Sequence, residues 1–197
     1  GAIMTVRINK PAFNIREKLT ELKHKPIELV SVQTPEITTS GSSSYTIEGI
    51  HETDHPIYFS LNGTSVGVTN NDQIMRVGTE DGISSSNIYY YNSFYDDGAT
   101  NNSNTNNAAA TNFPFFSGFN NVNNTFHTIA KIQRLSRSSN RYFMTVSGCY
   151  NTGYPQYFQF ASCRVDLGKP LTSVQLYSAS NFDAGSISVQ YLYERNL

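Results

Sequence analysis

The segment His51-Glu52-Thr53-Asp54-His55 matches the H-E-x-x-H pattern of zinc proteases residue for residue. That chemistry needs a helix, which sets both imidazoles on one face with the carboxylate beside them as general base. Here residues 45–50 alternate like a strand, and Pro56 follows at once, pushing His55 away from helical geometry. A polar turn between two strands is therefore expected, with no metal. Asp96 and Asp97, next to Gly98 and several Asn, supply the oxygen ligands that Ca2+ prefers, but their spacing matches no EF-hand. Asp72, Glu80 and Asp81 are the residue types that pair as acid and base in glycoside hydrolysis, yet loop carboxylates are commonly just solvated. No G-x-S-x-G nucleophile elbow and no glycine-rich phosphate loop occurs. His24, His51, His55 and His127 sit in no setting that marks a base. Asn62, Asn101 and Asn123 open formal glycosylation sequons, which matter only in a secreted chain. No catalytic residue, metal or cofactor is expected, and the chain is read as non-enzymatic.

Composition narrows the partners. Charged residues make up 15% of the chain and the formal net charge is −1. So weak a field draws neither nucleic acid nor anionic lipid, and neither is expected as a partner. Solubility then rests on Ser, Thr and Asn, a surface that suits a protein exposed outside a cell or on a particle. No run of about 18 apolar residues occurs, so no membrane insertion is expected. A basic region followed by an apolar one, the mark of a secretory leader, is not seen either, and Met4, after Gly1 to Ile3, is the expected natural start.

The elements that would position these groups are mostly strands. The 13 Tyr and 12 Phe, with no Trp, favour β structure. The exception lies near the start. Asn14 precedes Ile15, Arg16 and Glu17 as an Asx cap with Glu at the third helical position, and Ile15, Leu19 and Leu22 form one apolar stripe. Pro11 and Pro26 bound this helix, expected over residues 15–24 with Phe13 at its entrance. Ten residues are marginal alone in water, so the stripe must dock, onto its own sandwich or onto a larger assembly. Residues 28–32 alternate enough for a strand, and residues 34–44, with Pro35, Gly41 and three serines, read as a linker. The expected domains are an arm, residues 1–40, and a β-sandwich, residues 41–197.

Beyond the linker, strand signals recur over residues 45–50, 57–61, 74–79, 88–95, 125–135, 141–149 and 157–165. The closing pattern is the clearest. Val174 and Leu176, then Ile187, Val189, Tyr191 and Tyr193, alternate with polar residues on either side of a turn near Asn181 and Phe182. A closing hairpin is expected, with Val174 facing Val189 and Leu176 facing Ile187. Cys149 and Cys163 flank a second hairpin, in which Cys149 would face Tyr157 and Cys163 would face Phe143. Two free thiols are expected, since neither faces the other. Residues 101–124, dense in Asn, break the pattern and read as a long loop. Its Phe113, Phe115 and Phe116 are expected to tuck into the core or a neighbouring subunit. The alternative is a contact surface shared by Asp96, Asp97, Asn101, Phe113, Phe115, Phe116 and Phe119.

The segment Thr172-Ser173-Val174-Gln175-Leu176, then Phe182-Asp183-Ala184-Gly185-Ser186-Ile187-Ser188-Val189, resembles the end of a jelly-roll-like module of tailed-bacteriophage virion proteins. Arg76, Thr79-Glu80-Asp81-Gly82, Ser84 to Ser86 and Tyr89 to Tyr91 resemble its "R-x-S-x-D-G-G-S-x-Y" segment, with Ile83 in place of the second glycine. Arg7-Ile8-Asn9-Lys10-Pro11 and Phe13-Asn14-Ile15-Arg16-Glu17-Lys18-Leu19 are similar to the N-terminus of small virion proteins from marine tailed phages. The resemblance implies an all-β, jelly-roll-like antiparallel β-sandwich behind an N-terminal arm with one short helix. It implies a structural protein on the virion surface: a tail fibre or tail-attached receptor binder, or else a head decoration protein. The rivals are a carbohydrate-binding module and a glycan-active enzyme. The implied partners are further copies of the chain, as a trimer, other virion proteins through the arm, and host-surface glycan.

Overall fold

The computed structural model describes residues 27–67, 72–96, 103–116, 125–151 and 156–196. Its elements in chain order are β1 (Ile27–Gln33), β2 (Ile37–Thr38), β3 (Ser44–Ile47), β4 (Ile57–Val66), β5 (Gln73–Thr79), β6 (Gly82–Ile83) and β7 (Tyr89–Asp96). β8 (Ser103–Ala110), β9 (Phe113–Phe116), β10 (Thr125–Ser136), β11 (Arg141–Asn151), β12 (Gln156–Asp166), β13 (Ser173–Tyr177) and β14 (Phe182–Asn196) follow. The nine-stranded sheet runs β1-β14-β4-β10-β11-β12-β7-β8, with β2 also on β14, and the five-stranded sheet runs β3-β13-β5-β6, with β9 on β5. The described fold is thus all-β, antiparallel and sandwich-like. The expected helix at 15–24, with Phe13, Ile15, Leu19 and Leu22, lies outside the described residues.

Ser31–Tyr193 is one compact unit and holds the core. A second unit includes Glu28 and Arg195, which form an ion pair with each other. In the first unit the period of two sorts each strand into a wet and a dry side. On β10, Phe126, Thr128, Ala130, Ile132 and Arg134 are buried while His127, Ile129, Lys131 and Leu135 are exposed. Phe59, Ala130, Ile132, Met144, Val146, Ala161 and Val165 of the larger sheet meet Met75, Val77, Val174 and Leu176 of the smaller in one apolar cluster. Tyr89 plugs this core, its hydroxyl accepting from the Val77 N–H at 2.8 Å and donating to the Ser84 carbonyl at 3.2 Å.

The closing hairpin is not formed. Val174 lies between Ile47 and Val77 in the smaller sheet, whereas Val189 pairs with Phe59 in the larger. The connection after Tyr177 carries the chain from one sheet to the other, tied by Ser178 N–H to the Ser43 carbonyl and Phe182 N–H to the Ser42 carbonyl, both 2.9 Å. Both strands bury the same alternate residues in either arrangement, so alternation is satisfied by facing strands across a core as well as by hydrogen-bonded neighbours.

The described residues of 101–124, which are 103–116, are not a structureless loop. β8 lies there on the edge of β7, and β9 lies on β5. Asn has low intrinsic β preference, and it is the ladder offered by β7 that makes β8 a strand. The stretch read as a linker contains β2, and Thr39 there is fully buried and donates its hydroxyl to the Ala184 carbonyl at 2.7 Å. The β11–β12 hairpin forms one residue off the expected register, with Cys149 opposite Phe158 and Cys163 opposite Met144. Both thiols are free.

Candidate functional site

The outer face of the larger sheet is assembled by register. Ser60 on β4 stands opposite Ile129 on β10, Ile129 opposite Ser147 on β11, Ser147 opposite Phe160 on β12, and Phe160 opposite Phe94 on β7. Phe158 follows two residues from Phe160, on the same side of its strand. The result is an apolar stripe crossing the strands: Phe158 is 62% exposed, Phe160 53%, Ile129 51% and Phe94 43%. Two rows away Phe143, Arg164 and Tyr90 stand side by side, the guanidinium 4.7 Å over the Tyr90 ring. Arg164 also lies 3.9 Å from the Asp166 carboxylate, which Arg141 holds at 2.6 Å.

Beside the stripe runs an open groove of about 510 Å³, lined among others by Ser60, Asn62, His127, Ile129, Ser147 and Phe158. His127 Nδ1 and Asn62 Oδ1 are 3.0 Å apart and fix its polar rim. Alternation alone decides which chemistry reaches this face. The small polar residues between the aromatics keep it flat, and the phenylalanines carry no hydrogen-bonding atom, so the face can make apolar contacts but offers few fixed polar partners.

The H-E-x-x-H segment is a turn between β3 and β4, as the strand context requires, and its residues are held by structural contacts. His51 stacks on Tyr193 with centroids 4.2 Å apart, and its Nδ1 lies 2.9 Å from the Tyr191 hydroxyl. Thr53 donates its hydroxyl to the Leu192 carbonyl at 2.6 Å and accepts from the His55 N–H at 2.9 Å. Glu52 pairs with Arg134 at 2.5 Å, and Asp54 with Arg137 at 2.5 Å. The Arg134 side chain is only 3% exposed, and it also bonds the side chain of Asn140. Among the described residues, no cluster of three or more His, Cys, Asp or Glu is arranged to hold a metal ion.

The other candidates disperse. Glu80 and Asp81 both clamp Lys169, at 3.0 and 2.8 Å. Phe113 is fully buried, 5.9 Å from the Tyr91 ring, and serves the core. The backbones of Phe115 and Phe116 lie in β9 and that of Asp96 ends β7, while their side chains, with Asp97, Asn101 and Phe119, lie outside the described residues. Cys163 points inward, and burial pushes its thiol up to about 12. The exposed phenylalanines of β7, β11 and β12 were not singled out from sequence. The signal that finds them is two apolar sets on alternate positions of one strand, as in Phe158 and Phe160 against Ala161 and Cys163. Comparison of the chain with family models, curated proteins and solved structures finds no match.

Proposed function

We propose that this chain is a non-enzymatic structural protein of a tailed-phage virion, held at the particle surface as a tail fibre or tail-attached receptor binder. In this reading a rigid sandwich of jelly-roll-like arrangement presents the contact surface. Residues 1–40 attach it to other virion proteins. The supporting observation is the outer face of the larger sheet, where Phe94, Phe143, Phe158, Phe160 and Ile129 stand in water as a surface fitted to protein contacts in an assembly, with the glycan contact of a receptor binder assigned to the rest of the chain. An apolar patch of this kind marks an interaction site. The residues of the H-E-x-x-H segment, occupied in holding the β3–β4 turn to β10 and β14, are consistent with action by binding.

Head decoration is the alternative within the same class, and the two differ in what the chain contacts. The purified full chain is applied to a glycan array and to emptied heads of the phage that encodes it. Retention on glycans without head binding is expected for the tail reading. Binding to heads alone replaces it with decoration, and binding to neither removes the virion assignment.

A further inference from the structure

We infer that the outer face of the larger sheet is the contact between copies of this chain, packed sheet against sheet through the stripe of Phe94, Ile129, Phe158 and Phe160. The inference rests on the structural-protein reading and names the partner of that face. Three observations carry it.

The first is area. With Tyr58, Tyr90 and Phe143, the stripe exposes on the order of 600 Å² of side chain, at about 200 Å² for a whole aromatic residue. A standard interface covers roughly 800 Å² on each partner, which the stripe and its flanking Ser, Thr and Asn supply. Water is displaced mainly from phenylalanine and isoleucine, as befits the more apolar interfaces between identical subunits.

The second is shape. The stripe sits on four hydrogen-bonded antiparallel strands, β10, β11, β12 and β7, separated by small residues such as Ser147. Two such faces stack about 10 Å apart with side chains interleaved, the same packing that builds a sandwich interior. A sheet face is self-complementary in this sense, so one surface serves both partners.

The third is charge. The chain carries −1 overall, so copies do not repel strongly at long range. On the face itself Arg164 stacks on Tyr90 and Arg141 pairs with Asp166, while the exposed Lys131, opposite Tyr58 and Thr145, stands one row from Ile129, where its long stem can reach water at the rim. Anionic lipid would need a denser basic field than Lys131, Arg141 and Arg164 provide, one of them already paired with Asp166. A glycan would need many directed hydrogen bonds, and the centre of the stripe has phenylalanine there instead.

The full chain is measured by sedimentation and by light scattering across micromolar concentrations, beside Phe158→Ser/Phe160→Ser and Ile129→Lys. Circular dichroism and thermal unfolding confirm that each variant is folded, which surface substitutions on two different strands should permit. A mass of twice 22.0 kDa is expected for the natural chain, since a face that pairs with its own copy closes at two. Each variant should raise the dissociation constant by about tenfold or more, since central aromatics dominate such contacts. A natural chain that stays a monomer overturns the inference, as does an assembly that both folded variants leave unchanged. A monomer that still binds phage particles sinks this inference and leaves the proposed function standing. An assembly that binds no particle and no glycan does the reverse.

Discussion

Replacing Gly185 by alanine tests how β14 is bonded to β4. Gly185 has φ of +101°, a conformation that L side chains rarely adopt, and it lies where the β14–β4 register shifts between Ala184 and Ser186. A Cβ placed there would fall 2.5 Å from Thr64 N and 2.6 Å from Gly63 C, and as near to Thr64 Cα. These are backbone atoms inside a paired strand, so they cannot turn aside. The left-handed conformation costs alanine about 1–2 kcal/mol, and forcing extra volume into a packed site adds roughly 1–3 kcal/mol. The sum, about 2–5 kcal/mol, is a large part of the ~5–15 kcal/mol that holds a domain folded. Gly41→Ala is the internal control: φ there is +81°, but nothing lies within 4 Å of an added Cβ. It should lose only the backbone share, about 1–2 kcal/mol. Urea unfolding of the three chains measures both. Equal midpoints for the two variants would refute the close approach of β14 to β4 and the bulge that creates it.

Four further outcomes follow from other contacts of the fold. Glu52→Gln with Asp54→Asn leaves the buried Arg134 guanidinium without its carboxylates and should cost about 3 kcal/mol; Arg134→Met, which removes the charge itself, should cost less, and the opposite order in urea midpoints counts against a buried-charge role. Below about pH 9 the Cys163 thiol is neutral both folded and unfolded. Because burial raises its pKa from 9.0 to about 12, stability should fall as pH rises through that window, and Cys163→Ala should flatten the fall. At pH 8 a thiol reagent should label half-buried Cys149 first and reach Cys163 only on denaturation; equal rates in the native chain would contradict the inward position of Cys163. Purified protein should hold no stoichiometric zinc, and His51→Ala should lose about 1 kcal/mol from its stack on Tyr193 and its bond to Tyr191; zinc at one per chain, lost in that variant, would restore the metalloprotein reading.

The all-β class, the positions of β3, β4, β5, β7 and β10 to β12, and the turn at His51 to His55 were legible in the amino-acid order. Each depends on neighbours along the chain: alternation two residues apart, and a proline next to a histidine. The partners of those strands were a different matter. β13 and β14 alternate as a hairpin would, but they belong to opposite sheets, because burial constrains which side a residue faces and leaves open which strand lies beside it. The β11–β12 register moved by one residue, and the asparagines of β8 became a strand through the backbone of β7. The candidate site was hidden for the same reason. Taken one strand at a time, nothing marks Phe158 and Phe160 as facing water. Only the pairing of β10, β11, β12 and β7 shows that Ala161, Cys163 and Val165 fill the interior and that the phenylalanines gather, across four strands, on the side facing water.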